Sequence, residues 1–246
     1  MFDMNEKNND AFENIIFPPK AQEPYPCVLE FCDMLKKEGI NRVCDLGCGS
    51  GRHAIPMAKM GLTVIALDMS RKALSFVEEV ACEENLNIET LYCNLPKIPL
   101  ASSSIDAIVS TNVIHHAKLK AINETISEMH RVLAPGGYVL VTVFSKNDYR
   151  NNTGEQIETN TFYNTIGAEK NTIHHFFDND SFVEAFNKFE IVDVPKEIIS
   201  LSMYTDSNGN IFRGTLFKGI FKKMSINKNE EECLEKCLSK DSKIFS

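Results

Sequence analysis

The sequence predicts an α/β fold: a doubly wound, mostly parallel seven-stranded sheet that ends in an antiparallel hairpin. Three observations point there. Apolar, β-branched runs alternate with helical patterns about every 10 to 15 residues from 28 to 144. A glycine-rich turn at 47–51 follows the first run. Two strand-like segments near the end flank Ser207-Asn208-Gly209-Asn210, a hairpin turn.

The elements follow in order. Residues 28–37 place Val28, Leu29, Cys32 and Leu35 at helical spacing, with Gly39 as a stop. Residues 43–46 read as a short buried strand. Residues 52–60 read as a helix closed by Gly61, with Pro56 near its first turn, where a missing N–H does least harm. A second strand covers 63–67. Ser70 is an N-cap for a helix to about residue 84. A third strand is expected at 88–93, a fourth at 105–111, a helix at 119–133 stopped by Pro135-Gly136-Gly137, and a fifth strand at 138–144. Residues 145–171 are polar with weak periodicity, which predicts a lid or substrate loop, or a disordered stretch. A short helix at 181–187, strands at 190–204 and 211–222, and a last helix at 229–240 complete the chain. No repeat and no second core is visible, so a single domain is expected: an N-terminal arm (1–26), a cofactor-binding core (27–144), an insertion (145–177) and a C-terminal helix, hairpin and tail (178–246).

Composition excludes several classes. Of 246 residues, 43% are hydrophobic and 24% charged, ordinary for a globular domain. No stretch reaches the roughly 20 apolar residues of a membrane span. The polar, acidic N-terminus does not read as a secretory signal, so a cytoplasmic location with reduced thiols is expected. Eight cysteines include no C-x-x-C pair. Cys233 and Cys237 could share a helix face, but no His or second pair lies near them in sequence, so no metal is expected. The net charge of −8 divides unevenly: 8 basic and 5 acidic residues from Arg213 onward, against 18 and 29 before it. An acidic body argues against a general phosphate-binding surface.

The chemistry-bearing stretch is VCDLGCGSGRHAI, residues 43–55. Asp45, Gly47, Gly49 and Gly51 link a buried strand to a helix, and glycines there let a ligand lie against bare backbone. The next strand ends in Asp68, where an acid can accept hydrogen bonds from both hydroxyls of a ribose. The dinucleotide pattern G-x-G-x-x-G would need glycine at position 52, which is Arg52. Asp45 would repel a pyrophosphate, so a cationic nucleoside cofactor is expected.

With these motifs the chain resembles the class I S-adenosylmethionine-dependent methyltransferases, of the bacterial small-molecule type with unassigned substrate. The motifs run in order over about residues 25–145: DLGCGSG, ALDMS, CNLP, SIDAIV through NVIHH, and EMHRVLAPGG. The resemblance implies a Rossmann-like sheet, S-adenosyl-L-methionine as cofactor and S-adenosyl-L-homocysteine as product. It implies that Gly47, Cys48, Gly49 and Gly51 line the methionine portion and that Asp45 acts on the amino group. Asp68 would take the ribose hydroxyls and Met69 the adenine face. Asn94 stands where the family usually has Asp, and its carbonyl can still accept from the adenine amino group. Leu95 would offer an N–H to the ring, and Thr111 and Asn112 would pass beneath the sulfonium.

Methyl transfer is an in-line displacement in which the protein supplies alignment. A base is needed only for a nucleophile that arrives protonated. The candidate bases are His116 and His175, with His115 and His174 beside them. The expected acceptor is a small molecule. One alternative is a tRNA of the wobble-uridine type, since NVIHH is similar to that part of such methyltransferases. Another is a cofactor-binding regulatory protein without transferase activity.

Overall fold

The computed structural model describes residues 23–163, 172–205 and 209–225. Most of the N-terminal arm, the 229–240 helix with Cys233 and Cys237, and part of the 207–210 turn lie outside these residues.

The elements are α1 (Pro26–Lys37), β1 (Arg42–Leu46), α2 (Ala54–Lys59), β2 (Thr63–Asp68), α3 (Arg71–Glu83), β3 (Ile88–Tyr92), β4 (Ile105–Thr111), α4 (Leu119–Val132), β5 (Leu133–Phe144), β6 (Glu155–Glu158), β7 (Thr161–Tyr163), β8 (Ile173–His175), α5 (Asn179–Ala185), β9 (Phe189–Thr205) and β10 (Ile211–Lys223). Seven strands form one sheet in the order β3-β2-β1-β4-β5-β10-β9. The first five pair in parallel, and β10 and β9 close the edge antiparallel. The expected fold class is therefore the observed one.

Side chains of the central strands alternate between two cores. Val43, Val64, Ala66, Ala107 and Val109 face α1, α2 and α3 through Phe31, Met57 and Val77. Cys44, Ile65, Leu67, Ile108 and Val139 face α4 and α5 through Ile126, Met129, Phe182 and Phe186. A sheet buried on both faces needs continuous apolar strands, which is why these strands stand out in the sequence. Caps fix two helix starts. Ser70 Oγ accepts the Ala73 N–H at 3.2 Å, and Asp178 and Ser181 form a reciprocal capping box.

Two expectations change. Pro135-Gly136-Gly137 is not the loop that stops the helix. The helix ends at Val132, and β5 already pairs at Leu133. Ile105 opposes Leu133 and Ala107 opposes Tyr138, so the Pro-Gly-Gly stretch bulges out of the strand. The polar 145–171 region holds turns and the strands β6 and β7, which join β8 in a small antiparallel sheet. This sheet is fastened by main-chain bonds: His175 N–H to His115 C=O, Phe177 N–H to Phe144 C=O and Lys146 N–H to Phe177 C=O, all 2.8 Å. It thus sits against the carboxyl ends of β4 and β5.

The six cysteines among the described residues are unbridged. Burial pushes the Cys32 and Cys93 thiols up to about 12, so they stay protonated. No described helix is long and apolar enough to cross a membrane.

Candidate active site

The strand order reverses between β1 and β4, and the crevice at the carboxyl ends there is where open α/β sheets bind ligands. The glycine loop enters it directly. The Gly47 and Cys48 N–H groups both donate to Leu67 C=O, at 2.7 and 2.9 Å, which folds the loop over β2. Gly47 lies at φ +76, and a Cβ there would meet Val113 Cγ2 at 2.3 Å. Gly49, at φ +50, has nothing within 4 Å of a Cβ position, so its outer side is open.

Asp68 ends β2 and organises this loop. Its Oδ2 accepts the Gly49 N–H and its Oδ1 the Ser70 N–H, both at 2.8 Å. Each carboxylate oxygen keeps a lone pair for a ligand hydroxyl. Asp45, on β1, is buried, and its Oδ2 has no partner among the described residues. Burial first, and the Asp68 charge second, push its carboxyl up to about 7, against the Ala54 N–H. Burial also raises Asp68, opposed by the N–H groups of Ser70, Gly49 and Met69. No cationic side chain acts among these causes. The crevice is a negative well that fits a positively charged ligand and would reject a phosphate.

The remaining predicted cofactor residues lie at or just after the carboxyl ends of β1 to β4. Met69 is half-buried directly after Asp68, Cys48 and Gly51 are buried in the loop, and Asn94 and Leu95 follow β3. Thr111 ends β4, opposite Thr142. Asn112 follows at φ +59, held by Thr142 Oγ1, which accepts its N–H at 3.0 Å.

Three residues near the loop were not singled out from sequence. Tyr25 is buried, and its hydroxyl accepts a bond from Asn112 Nδ2 at 2.9 Å. The Arg52 guanidinium lies 4.4 Å over its ring, and His53 stacks on it at 5.5 Å. Burial, then the Arg52 charge, pushes His53 down to about 3. Local sequence carries no signal for Tyr25, because its partner lies 87 positions away.

The histidines divide by strand alternation. His174 joins His115 and His116 around Phe144, with ring separations of 4.8 Å for His116–His174 and 3.7 Å for His115–Phe144. His175 points from the other face of β8, where Nδ1 meets Thr161 Oγ1 at 2.7 Å and its ring meets Phe177. Neither ring nitrogen of His115 has a partner among the described residues. The Arg150 guanidinium lies 3.8 Å over Phe144, tied by a two-bond fork to Asp148 at 2.7 and 2.9 Å. Among the described residues no group of three ligating side chains is placed to hold a metal.

Burial holds His115 and His174 well below the ordinary histidine value, and His175 at about 4. The unfolded chain takes up these protons near pH 6.5, and the folded protein does not. Their contribution to stability is therefore complete above about pH 6.5 and is lost as pH falls below it. The raised Asp45 and Asp68 work in the opposite direction, but four histidines, His53 included, outweigh them. Tm is expected to fall steeply between about pH 6.5 and pH 5, by up to roughly 1.4 kcal/mol of stability per pH unit for each net proton. A pH series of thermal melts checks this, and a flat profile would contradict it.

Comparison with known proteins agrees with this geometry. A family model described as "Methyltransferase domain" matches residues 43–137. A tRNA (carboxymethyluridine(34)-5-O)-methyltransferase of Mus musculus is 31% identical over 137 residues, 55% of this chain and 19% of its own. A ubiquinone biosynthesis O-methyltransferase of Agrobacterium fabrum is 26% identical over 56% of this chain and 49% of its own. The chain thus spans from a fifth to a half of these relatives. The crystal structure of a SAM-dependent methyltransferase from Methanosarcina mazei superposes with a TM-score of 0.63 at 23% identity, over 83% of this chain and all of that one. Residues 43–137 thus match a methyltransferase domain, and the sheet that contains them has the fold of a solved SAM-dependent methyltransferase.

Proposed function

We propose that the protein transfers a methyl group from S-adenosylmethionine to a small-molecule acceptor, leaving S-adenosylhomocysteine. The observation that carries this reading is the acid pair at the open glycine loop, Asp45 buried and Asp68 half-buried, with no cationic side chain acting on either carboxyl. The bound cofactor supplies an electrophilic methyl group on a sulfonium, open to in-line displacement.

The chain's own residues bind and align. Asp45 neutralises the cofactor's ammonium group, directly or through a water. Asp68 accepts the ribose hydroxyls while its two N–H donors keep it oriented. The backbone of Gly47, Cys48, Gly49 and Gly51 lets the methionine portion lie close. Met69 and Leu95 flank the adenine, and Asn94 accepts its amino group. Thr111 and Asn112 form the floor beneath the sulfur. His115, His116 and His174 form the acceptor end with Phe144, and the main-chain N–H of His175 holds them by donating to His115 C=O at 2.8 Å. A buried imidazole held neutral is a weak base and a good hydrogen-bond acceptor, so the cluster orients a nucleophile.

A second reading, a tRNA acceptor, is favoured by the relative at 31% identity. The acidic body and the buried acceptor end favour the small molecule.

Isothermal titration tests the core of the proposal. S-adenosylmethionine and S-adenosylhomocysteine are expected to bind with Kd on the order of micromolar. Asp45, about half protonated near pH 7, ionises as the ammonium group docks, so binding releases a proton and tightens from about pH 6 to pH 7. Calorimetry in buffers of different ionisation enthalpy reads that proton. Failure of both ligands to bind would overturn the assignment. Turnover on a small-acceptor panel supports the first reading. A tRNA complex that weakens steeply between about 50 and 200 mM salt supports the second. Binding without turnover on either favours a regulatory protein.

A further inference from the structure

Asn94 and Leu95 lie on a connection, residues 93–104, that has no strand ladder of its own. Such a segment keeps its shape only if its backbone groups find partners elsewhere. The near end is held by Cys93, whose N–H donates to Asp68 C=O at 2.9 Å. The far end is held by two side chains one turn apart on α4, which therefore share a helix face.

Arg131 Nε and Nη2 donate to the two carboxylate oxygens of Glu128, at 2.6 and 2.8 Å. The fork is thereby aimed, and its other N–H groups read the connection. Nη2 donates to Ile98 C=O and Nη1 to Leu100 C=O, both at 2.9 Å, and Nη1 also reaches Ser102 Oγ at 3.4 Å. Glu128 Oε2 in turn accepts the Ile98 N–H at 3.1 Å. Arg131's own C=O accepts the Ser103 N–H at 2.9 Å. The pair thus addresses both backbone groups of Ile98, whose side chain is buried in the core under α4.

As a stability device the pair is weak, because both side chains are partly exposed and such ion pairs contribute little. Its geometry is nonetheless specific. A planar guanidinium that holds a carboxylate and two carbonyls at once cannot be replaced by an ammonium, which lacks the fork. Between the Cys93 and Ile98 fastenings lie four residues, and Asn94 and Leu95 are two of them.

We propose that Glu128 and Arg131 are positioning residues for purine selectivity: they set the path of the 94–97 backbone and so place Asn94 and Leu95 against the adenine. Neither residue touches the cofactor. The inference rests on the assignment of Asn94 and Leu95 to the adenine in the proposed function. It adds the residues that make an exposed asparagine an accurate reader.

The test compares two ligands on the full chain: S-adenosylhomocysteine and its hypoxanthine analogue, in which a carbonyl replaces the adenine amino group. The wild type is expected to prefer the adenine form by about tenfold, the value of one hydrogen bond to a defined partner. Arg131→Lys and Glu128→Gln are expected to bring the two affinities within about threefold of each other, chiefly by weakening S-adenosylhomocysteine, while Tm shifts by only a few degrees. Asn94→Ala is expected to remove the preference in the same way, with Glu128 and Arg131 intact. Equal weakening of both ligands would reduce the pair to a general structural role and overturn the proposal, as would an unchanged preference in both variants. A wild type that binds both ligands equally would overturn it too, and would leave the methyltransferase assignment standing. A wild type that binds neither would overturn both. If Arg131→Lys fails to fold, Glu128→Gln decides alone, since it keeps the side-chain shape and turns one of the two accepting oxygens into a donor, which opens the fork.

Discussion

Asp68→Ala is expected to weaken S-adenosylmethionine binding about a hundredfold while leaving the protein folded. The carboxylate does two jobs at once. It takes the Gly49 and Ser70 N–H groups, and in the proposed function its remaining lone pairs serve the ligand. Two hydrogen bonds from ligand hydroxyls to a charged acceptor are worth about 3 kcal/mol together, or roughly two powers of ten in affinity. The two backbone donors are only part-buried, so water replaces the lost oxygens at modest cost, and Tm should fall by only a few degrees. Asp68→Asn keeps one carbonyl acceptor and should lose only about tenfold. Calorimetric titration of both variants checks the pair of values. An Asp68→Ala protein within threefold of wild type would remove the ribose assignment.

Gly47→Ala and Gly49→Ala are expected to fail in different ways, although the two residues stand two positions apart in one loop. At Gly47 the added methyl group meets Val113 at 2.3 Å, and φ is +76. The left-handed backbone costs about 1–2 kcal/mol, and overpacking a similar amount. A loss of about 3 kcal/mol lowers Tm by roughly 6–12 °C in a chain of this size. At Gly49 only the backbone cost applies, because nothing lies within 4 Å. Its methyl group instead fills the open side of the loop, where the ligand is proposed to lie. Gly49→Ala should therefore melt within a few degrees of wild type and bind S-adenosylmethionine at least about tenfold more weakly. Thermal melts and titrations on both variants separate the two effects. The same pattern for both residues would contradict this division.

The parallel strands are legible in the sequence because burial on both faces demands unbroken apolar runs, as in Val43 to Leu46. The antiparallel strands β6 and β7 are not legible. Glu155-Gln156-Ile157-Glu158 is half exposed and has no apolar alternation to detect. The Pro-Gly-Gly stretch reads as a stop because local chemistry says turn. The sheet overrides that by pairing on either side of the bulge. Within the crevice, the glycines and Asp68 are visible because their spacing along the chain is short. The contact of Tyr25 with Asn112 and the split of His174 from His175 depend on tertiary placement: one joins distant segments, the other follows from where β8 starts.

The small sheet bears on how such a protein can change over time. It is fastened to the body by peptide groups of His115, Phe144, Lys146, His175 and Phe177, donating and accepting regardless of the side chains they carry. An attachment made of backbone tolerates replacement of the exposed side chains along it, such as Glu155 and Gln156, while buried ones such as Phe162 and Phe176 remain tied to the core. Side chains add to this seam, since Glu158 accepts the Leu119 N–H at 2.6 Å and Asp148 the Thr215 N–H at 2.7 Å, but the strands themselves meet the body through peptide groups. New acceptor preferences can then arise by rewriting such exposed positions in the 145–177 excursion while the acid pair and the glycine loop stay as they are.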